Sequence, residues 1–277
     1  MVKVKLVIWD LDETFWQGTL SEGEVSNPNI ALIKKLANHG IINSISSKND
    51  FEQAKRKLIE YGVWDLFVFP SINWNPKGEA VAQIIKDCQL RAANVVFLDD
   101  NSSNRNEVVF YNESITTFST PEEFADLIDW EDYRLDPDLE RLKQYKLLEE
   151  KKEYRKECSS NIDFLYKSNI KIQFIYDLKD IKNRLVEMIS RTNQLNYTKN
   201  RIGIDDLELL INNSNIQCAA IKVYDNFGDY GICGFYALDI KLNKLLHFLF
   251  SCRILNLGVE NYVFNKLNHP LLDIAQP

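Results

Sequence analysis

Four short polar segments, each at the end of an apolar run, are the feature that most constrains this chain. They read DLDET, SSKN, PKG and LDD, and they cover 10–14, 46–49, 76–78 and 98–100. The runs are short and rich in β-branched residues, which predicts buried strands at Lys3–Trp9, Ile41–Ile45 and Val95–Leu98. Such strands, alternating with helical patterns, indicate a parallel sheet, and ligands bind beyond the carboxyl ends of its strands. We therefore expect the four segments to converge on one site.

The residue types in these segments suit phosphoryl transfer. Asp10 can attack phosphorus as a carboxylate nucleophile and form an aspartyl-phosphate. Asp12 lies on the same side of an extended chain, where it can protonate the leaving oxygen and later activate water. Lys77 can supply a positive charge, and Ser47 a hydroxyl donor, for the transferring oxygens. Ser46 is the alternative to Ser47, because the end of a strand is hard to place within one residue.

The acidic residues predict a metal ion. Carboxylates crowded near a phosphate repel it unless a cation lies between them. A Mg²⁺ ion held by Asp10, Asp99 and the backbone carbonyl of Asp12 satisfies this requirement. Asp100 has two interpretations, as a ligand that acts through water or as the cap of the following helix. The predicted metal set is therefore Asp10, Asp12, Asp99 and Asp100.

These motifs resemble a known superfamily. The residues that match the four motifs of the haloacid-dehalogenase-like (HAD) phosphotransferases are, in chain order, Asp10, Asp12 and Thr14, then Ser47, then Lys77, then Asp99 with Asp100. The longer strings WDLDETFWQG, ISSKND, NWNPKGE and FLDDNSSNR resemble the FkbH-like proteins within that superfamily. The resemblance implies a HAD phosphatase domain joined to an acyltransferase-like domain of the GNAT type. It implies that a small phosphorylated hydroxy acid, similar to glycerate, loses phosphate and that its acyl unit is loaded onto a carrier-protein thiol.

Helix signals fill the gaps between the strands. Helices are predicted to begin at Asn27-Pro28, Asp50 and Pro76, and Thr120–Glu123 forms a capping box. A short strand is predicted at Leu66–Phe69. The order β-α-β-α-β-α-β-α through about residue 130 predicts a Rossmann-like α/β fold with a parallel sheet flanked by helices. Neither gap between the motifs has room for a folded cap domain, so we expect a capless domain with an open mouth.

Length and composition bound the remaining classes. The 277 residues allow two domains, and a net charge of −7 argues against a nucleic-acid partner. Five cysteines without CxxC spacing favour a reduced, cytoplasmic setting, and three histidines form no metal motif. The N-terminal segment lacks an apolar leader region, and no apolar stretch approaches the roughly 20 residues of a membrane span. We therefore expect neither a membrane nor a nucleic acid as a partner.

The order of predicted helices and strands changes in the second half of the chain. We predict a phosphatase domain over 1–130, a charged helical linker over 131–163 and a second, smaller α/β domain over 164–277. The second domain has the predicted order β-α-α-β-β-β-α, which resembles the GNAT acyltransferase fold. It ends sooner than that fold normally does and is expected to be incomplete. An exposed sheet edge there would allow pairing with a second subunit, and hence a homo-oligomer.

Residues of the second domain are candidates for acyl transfer. Cys252 can act as a thioester-forming nucleophile beside Arg253, although a cysteine in a core strand is more often a small buried hydrophobe. Arg253 and Gly258 lie in the loop that the GNAT fold uses for a pyrophosphate or pantetheine arm, in which Leu257 replaces the arginine of the family. Arg201 is a further candidate for this cleft. The predicted acyl- and thiol-binding residues are Asn193, Gln194, Arg253 and Gly258.

Together these features predict an enzyme. The predicted catalytic residues are Asp10, Asp12, Ser47, Lys77 and Cys252, and the predicted phosphate-binding residues are Thr14, Ser47, Asn49 and Lys77. We interpret the chain as a Mg²⁺-dependent phosphotransferase whose partners are a phosphorylated small molecule and an acyl carrier protein. The alternatives are a stand-alone small-metabolite phosphatase with a non-catalytic second domain and a carrier-protein-binding module.

Overall fold

The computed structural model describes residues 3–192 and 195–275, apart from the side chain of Cys252. The chain forms two compact units, Met1–Glu150 and Lys151–Pro277. No helix among the described residues has both the length and the apolar character needed to cross a bilayer.

The first unit is built on a parallel sheet with the strand order β3-β2-β1-β4-β5. Its strands are β1 (Leu6–Trp9), β2 (Ile42–Ser47), β3 (Ser71–Ile72), β4 (Val95–Leu98) and β5 (Thr116–Phe118). Its helices are α1 (Ile30–Asn38), α2 (Phe51–Glu60), α3 (Lys77–Asp87), α4 (Ser102–Tyr111) and α5 (Pro121–Leu127), and α6 (Glu140–Lys156) begins in this unit. The predicted α/β class, a parallel sheet flanked by helices, is confirmed.

The central strand β1 separates two apolar cores. Val7 and Trp9 face the core that contains side chains of α1, α2 and α5. Leu6 and Ile8 face the core that contains side chains of α3 and α4. All four residues of β1 are buried, as expected for a strand of a parallel sheet that is covered on both faces.

The ends of β1 and β2 differ from the predicted Lys3–Trp9 and Ile41–Ile45 by up to three residues, and two other elements are displaced. The strand predicted at Leu66–Phe69 is instead β3, because Trp64–Leu66 forms a 3₁₀ turn and the left-handed backbone of Phe69 (φ 48°) interrupts the extended chain. Helix α1 begins at Ile30 and not at Asn27-Pro28, because Asn27 also has a left-handed backbone (φ 50°). The predicted caps at Asp50 and Thr120 are confirmed, and each accepts a backbone N–H from the first turn of its helix.

The boundary between the units falls inside α6, within the segment predicted as a linker. The stripe formed by Leu142 and Tyr145 is buried in the first unit against the core that contains α3 and α4. The carboxylate of Glu149 accepts the backbone N–H of Phe69 at 2.7 Å. The first part of this charged helix is therefore packed and hydrogen-bonded to the first unit, whereas the sequence predicted a linker between the two domains.

The second unit contains an antiparallel sheet with the strand order β6-β7-β8-β9. Its elements are α7 (Asn161–Ser168), β6 (Lys171–Ile175), α8 (Lys182–Arg191), α9 (Ile204–Asn212), β7 (Ile216–Tyr224), β8 (Asp229–Asp239), β9 (Lys244–Phe250) and α10 (Val259–Lys266). Helices α8 and α9 pack on one face of this sheet. The predicted order β-α-α-β-β-β-α is confirmed among these elements.

Candidate active site

Strand register places two aspartates side by side at the carboxyl edge of the first sheet. The order of the strands reverses between β1 and β4, and a doubly wound sheet binds its ligand at such a point. Trp9 is the register partner of Leu98, and the N–H of Asp10 donates to the carbonyl of Leu98 at 2.9 Å. Asp10 and Asp99, the next residue on each strand, are therefore neighbours, and both are buried.

A lysine bridges these two carboxylates. The Nζ atom of Lys77 lies 2.8 Å from Asp10 Oδ1 and 2.6 Å from Asp99 Oδ2. Burial raises the pKa of Asp10 to about 6; the positive charge of Lys77 opposes this rise, and the negative charge of Asp99 adds to it. A hydrogen bond from Ser47 also favours the ionised form of Asp10. The ammonium of Lys77 thus balances part of the negative charge of the two carboxylates.

Helix α4 holds the first turn of α3, where Lys77 is the first residue. The N–H of Gly78 donates to the Glu107 carboxylate at 3.0 Å, and Asn112 Nδ2 donates to the carbonyl of Gly78 at 3.1 Å. A Cβ atom on Gly78 would lie 2.4 Å from the ring of Tyr111, so the close approach of the two helices needs a glycine there. These contacts fix where the lysine side chain starts.

Asp99 is held from the other side by the first turn of α4. The N–H of Asn101 donates to Asp99 Oδ1 at 2.9 Å, and Asn104 Nδ2 lies within 3.2 Å of both carboxylate oxygens. Arg105 donates to the backbone carbonyls of Asp99 and Asp100 at 2.6 and 2.8 Å. Both the side chain and the backbone of this strand end are therefore fixed by hydrogen bonds.

The carboxylate of Asp12 accepts three hydrogen bonds from the part of the chain that the structure describes. Its Oδ1 accepts Trp16 Nε1 at 2.8 Å and the backbone N–H of Leu20 at 3.1 Å, and its Oδ2 accepts Asn49 Nδ2 at 3.1 Å. Asn49 Nδ2 also lies 3.1 Å from Ser47 Oγ. The predicted phosphate-binding residues Ser47 and Asn49 therefore link the carboxylate of Asp12 to that of Asp10.

Two further predictions concern neighbouring hydroxyl groups. Ser47 is the serine that contacts Asp10, and the alternation of side chains along β2 turns Ser46 to the opposite face. Thr14 is buried, and its Oγ1 accepts the backbone N–H of Asp100 at 3.1 Å. This bond ties the loop after β1 to the loop after β4.

The acidic residues fit a divalent cation. One carboxylate oxygen from each of Asp10, Asp99 and Asp100 can lie within 4.8 Å of the others. These three carboxylates and the ammonium of Lys77 leave two negative charges unbalanced, and oxygen is the ligand that Mg²⁺ prefers. Burial and the charge of Asp99 raise the pKa of Asp100. The cap of α4 is Asn101, so the capping interpretation of Asp100 is wrong.

The carboxylate of Asp12 is not part of this three-residue group among the described residues. Both of its oxygens accept hydrogen bonds from protein groups. This arrangement is compatible with the expected contribution of its backbone carbonyl to the metal, and it leaves the side chain for proton transfer.

In the second unit the predicted acyl-binding residues are described in part. Gly258 precedes α10 with a left-handed backbone (φ 69°) and lines an open cavity of about 260 Å³ with Ile170, Ile172, Leu257 and Tyr262. Arg253 donates to Ser251 Oγ and to the carbonyl of Ile232, so part of its guanidinium serves the local fold. Arg201 donates to the carbonyls at the end of α8. Asn193, Gln194 and the side chain of Cys252 lie outside the described residues.

Sequence reasoning missed the residues that support the site. They are Trp16, Asn101, Asn104, Arg105 and Glu107. Two features of the sequence pointed to these residues. The helix-start pattern after Asp99 places several polar side chains in the first turns of that helix, and Trp16 is close enough in the chain to Asp12 to donate a hydrogen bond to it. Neither feature specifies which atoms meet.

No protein-family model and no curated protein matches this chain. Solved structures are similar to parts of it. The N-terminal part of protein BF1531 from Bacteroides fragilis, which contains a phosphatase domain complexed with Mg, is 27% identical with a TM-score of 0.37; the match covers 47% of this chain and 39% of that one. A Had-superfamily hydrolase from Ehrlichia chaffeensis is 12% identical with a TM-score of 0.36, covering 46% and 96%.

A third structure is 3-deoxy-D-manno-octulosonate 8-phosphate phosphatase from Moraxella catarrhalis in complex with magnesium, phosphate and KDO. It is 19% identical with a TM-score of 0.31, and the match covers 39% of this chain and 64% of that one.

Proposed function

We propose that the first unit is a Mg²⁺-dependent phosphatase of the HAD type that works through a covalent phosphate on Asp10. The observation that carries the proposal is the ammonium of Lys77, buried between Asp10 and Asp99 at the switch point of the sheet. Phosphoryl transfer by an aspartate nucleophile needs a buried carboxylate, a fixed positive charge beside it and further carboxylates for a metal ion. Asp10, Lys77 and the pair Asp99 and Asp100 are these groups.

The side chains then have distinct roles. A carboxylate oxygen of Asp10 attacks phosphorus while Lys77 and the hydroxyl of Ser47 hold the transferring oxygens. Asp12 gives a proton to the leaving oxygen, and afterwards it takes a proton from the water that attacks the aspartyl-phosphate. A Mg²⁺ ion bound by Asp10, Asp99 and Asp100 supplies positive charge that lets phosphate approach these carboxylates.

Trapping the intermediate tests this function. Purified protein with Mg²⁺ and an aryl phosphate should hydrolyse the ester and carry a phosphate label that hydroxylamine removes, as it removes an acyl phosphate. Asp10→Asn should abolish the label and lower turnover by at least about a thousandfold. The matched control is Asp50→Asn, an exposed cap of α2 that asparagine can replace. Turnover that survives Asp10→Asn would contradict the proposal.

We further propose that the whole chain is an FkbH-like acyl-transfer enzyme. Support comes from the four strings of the first half that resemble this family and from the open cavity beside Gly258. A thioester does not form from a free carboxylate without activation, so the donor must carry an activated acyl group, such as the acyl phosphate of a phosphorylated hydroxy acid. In this hypothesis a thiolate of the enzyme or of a carrier protein attacks the acyl carbon, the thioester forms and the acyl-bound phosphate leaves as inorganic phosphate. The first unit then hydrolyses the remaining phosphate ester.

Intact-mass measurement tests acyl transfer. The chain is incubated with acyl phosphates of glycerate and with a carrier protein, and the mass of each protein is recorded. An adduct that is lost in Cys252→Ser but kept in Cys218→Ser, a half-buried cysteine on β7, would place the acyl group on Cys252. Hydrolysis without any adduct on either protein would support the stand-alone phosphatase instead.

A further inference from the structure

Asp12 accepts more hydrogen bonds than its predicted role in proton transfer requires. We propose that Trp16 is a positioning residue for acid–base catalysis: its indole N–H and the backbone N–H of Leu20 occupy Oδ1 of Asp12, and the proton is therefore carried on Oδ2. This proposal rests on the proposed phosphatase function and assigns a role to a residue outside its four motifs.

The indole is well placed for this task. Trp16 is 1% exposed, and its ring packs against those of Phe15 and Tyr61 at centroid distances of 5.5 and 6.4 Å. Asp12 and Trp16 also form a backbone bridge, which fixes the two residues relative to each other. The direction of the N–H bond is thus set by packing, and the bond of 2.8 Å to Asp12 Oδ1 is short.

Counting lone pairs selects the oxygen that carries the proton. Each carboxylate oxygen offers two positions for hydrogen bonds. On Oδ1 both are taken, by Trp16 and by the N–H of Leu20. On Oδ2 the described residues take one position, through Asn49, and leave one. A proton on Oδ2 does not displace either donor from Oδ1.

The proton balance follows from this assignment. As the bond between Asp10 and phosphorus forms and the bond from phosphorus to the leaving oxygen breaks, the proton on Asp12 Oδ2 passes to that oxygen. In the second half, Oδ2 takes a proton from water as the water oxygen attacks phosphorus and the aspartyl-phosphate bond breaks. Asp12 is then protonated again, and no other reagent is needed.

A leaving-group series tests the role of Trp16. The values of kcat/KM are measured with Mg²⁺ for substituted phenyl phosphates, from dinitrophenyl phosphate, whose leaving group departs without a proton, to phenyl phosphate, whose leaving group needs one. In Trp16→Phe, which keeps a ring but loses the N–H, kcat/KM for phenyl phosphate should fall about 10- to 100-fold while that for dinitrophenyl phosphate changes less than about threefold. Because both substrates are measured on one preparation, a loss of folded protein cancels in their ratio.

Trp9→Phe is the matched control. Trp9 is another fully buried indole, and its Nε1 donates to the side chain of Asn43 at 3.0 Å, away from Asp12. A general disturbance of the core should lower kcat/KM for both substrates by the same factor. We expect this result for Trp9→Phe. Trp16→His keeps a ring N–H and should restore part of the ratio that Trp16→Phe loses. If Trp16→Phe does not fold, Trp16→Leu, which also lacks an N–H, is the test variant.

A second measurement needs no activity. The indole N–H signal that disappears from the NMR spectrum in Trp16→Phe belongs to Trp16, and Asp12→Asn should shift that signal while leaving the signal of Trp9 in place. An equal loss for both substrates in Trp16→Phe, an unchanged ratio or an unmoved signal would overturn the proposal. A wild-type protein that hydrolyses neither ester would overturn the proposed phosphatase function itself.

Discussion

Replacing Lys77 by methionine removes the charge that Asp10 and Asp99 share and keeps an unbranched side chain of similar length. Lys77 and Asp99 are 2% and 0% exposed, and the two N···O distances are 2.8 and 2.6 Å. Removing one member of a buried ion pair leaves an uncompensated charge and costs about 3–5 kcal/mol. Because two carboxylates lose their partner here, we expect the free energy of unfolding to fall by about 4–5 kcal/mol at neutral pH without metal.

The tryptophans provide a selective assay. All five tryptophans of the chain lie before residue 131, so their fluorescence during urea unfolding reports on the first unit. The experiment is done with EDTA, so that no metal replaces the missing charge. Lys57→Met is the control, because Lys57 pairs with the exposed Glu60 at 3.2 Å and such an exposed pair contributes little to stability.

A double-mutant cycle separates the ion pair from general effects on packing. Asp10→Asn removes one of the two carboxylate charges that lose their partner in Lys77→Met. In that background Lys77→Met should therefore lower the free energy of unfolding by about 1–3 kcal/mol less than in the wild type. The reasoning is refuted if Lys77→Met lies within about 1 kcal/mol of the wild type, or if the two substitutions are additive.

Three further outcomes are expected. Burial raises the pKa of Asp10 from 3.8 to about 6, so the metal-free folded state binds this proton more tightly than the unfolded state does. The free energy of unfolding should therefore fall by up to about 3 kcal/mol as the pH rises from 4 to 7. Asp10→Asn should flatten this pH dependence in urea titrations. Gly78→Ala should destabilise the first unit by about 1–3 kcal/mol, and adding Tyr111→Ala should recover part of the loss in thermal melts. Lys151→Met should destabilise the second unit by about 3 kcal/mol, because the side chain of Asp225, 2.9 Å from the ammonium, is fully buried. Hydrogen exchange of the hairpin between β7 and β8 should show this loss, and tryptophan fluorescence should not.

The sequence predicted the strands β1, β2 and β4 and the edge of the sheet where the polar residues meet, but it misplaced β3 and gave no strand at β5. Buried parallel strands have a strong compositional signature, and their carboxyl ends are defined by the first acidic residue after the apolar run, as at Asp10 and Asp99. Once the sheet is parallel, adjacent strands must bring these residues together. The convergence of the three segments at strand ends, those of Asp10, Ser47 and Asp99, therefore followed from topology alone.

Boundaries set by single backbone conformations could not be predicted in this way. Phe69 and Asn27 both adopt left-handed conformations, and for Phe69 no residue type signals it. The packing of α6 on the first unit was missed because its apolar stripe is narrow and its charges dominate the composition. Long-range contacts of this kind depend on which surface is available after the rest of the unit has folded.

The motif residues and their supporting residues differ in how they are encoded. A motif carboxylate is placed by its own strand, whereas the position of Lys77 depends on a second helix, through the bond from Gly78 to Glu107. A chain could therefore keep all four motifs and still lose the site by a change in α4. Glu107→Gln retains an oxygen that can accept the N–H of Gly78, while Glu107→Ala removes it. The two variants should therefore bind Mg²⁺ with the same affinity, and Glu107→Ala should have the lower kcat/KM for aryl phosphates. Equal activity of the two variants would mean that α3 alone positions the lysine.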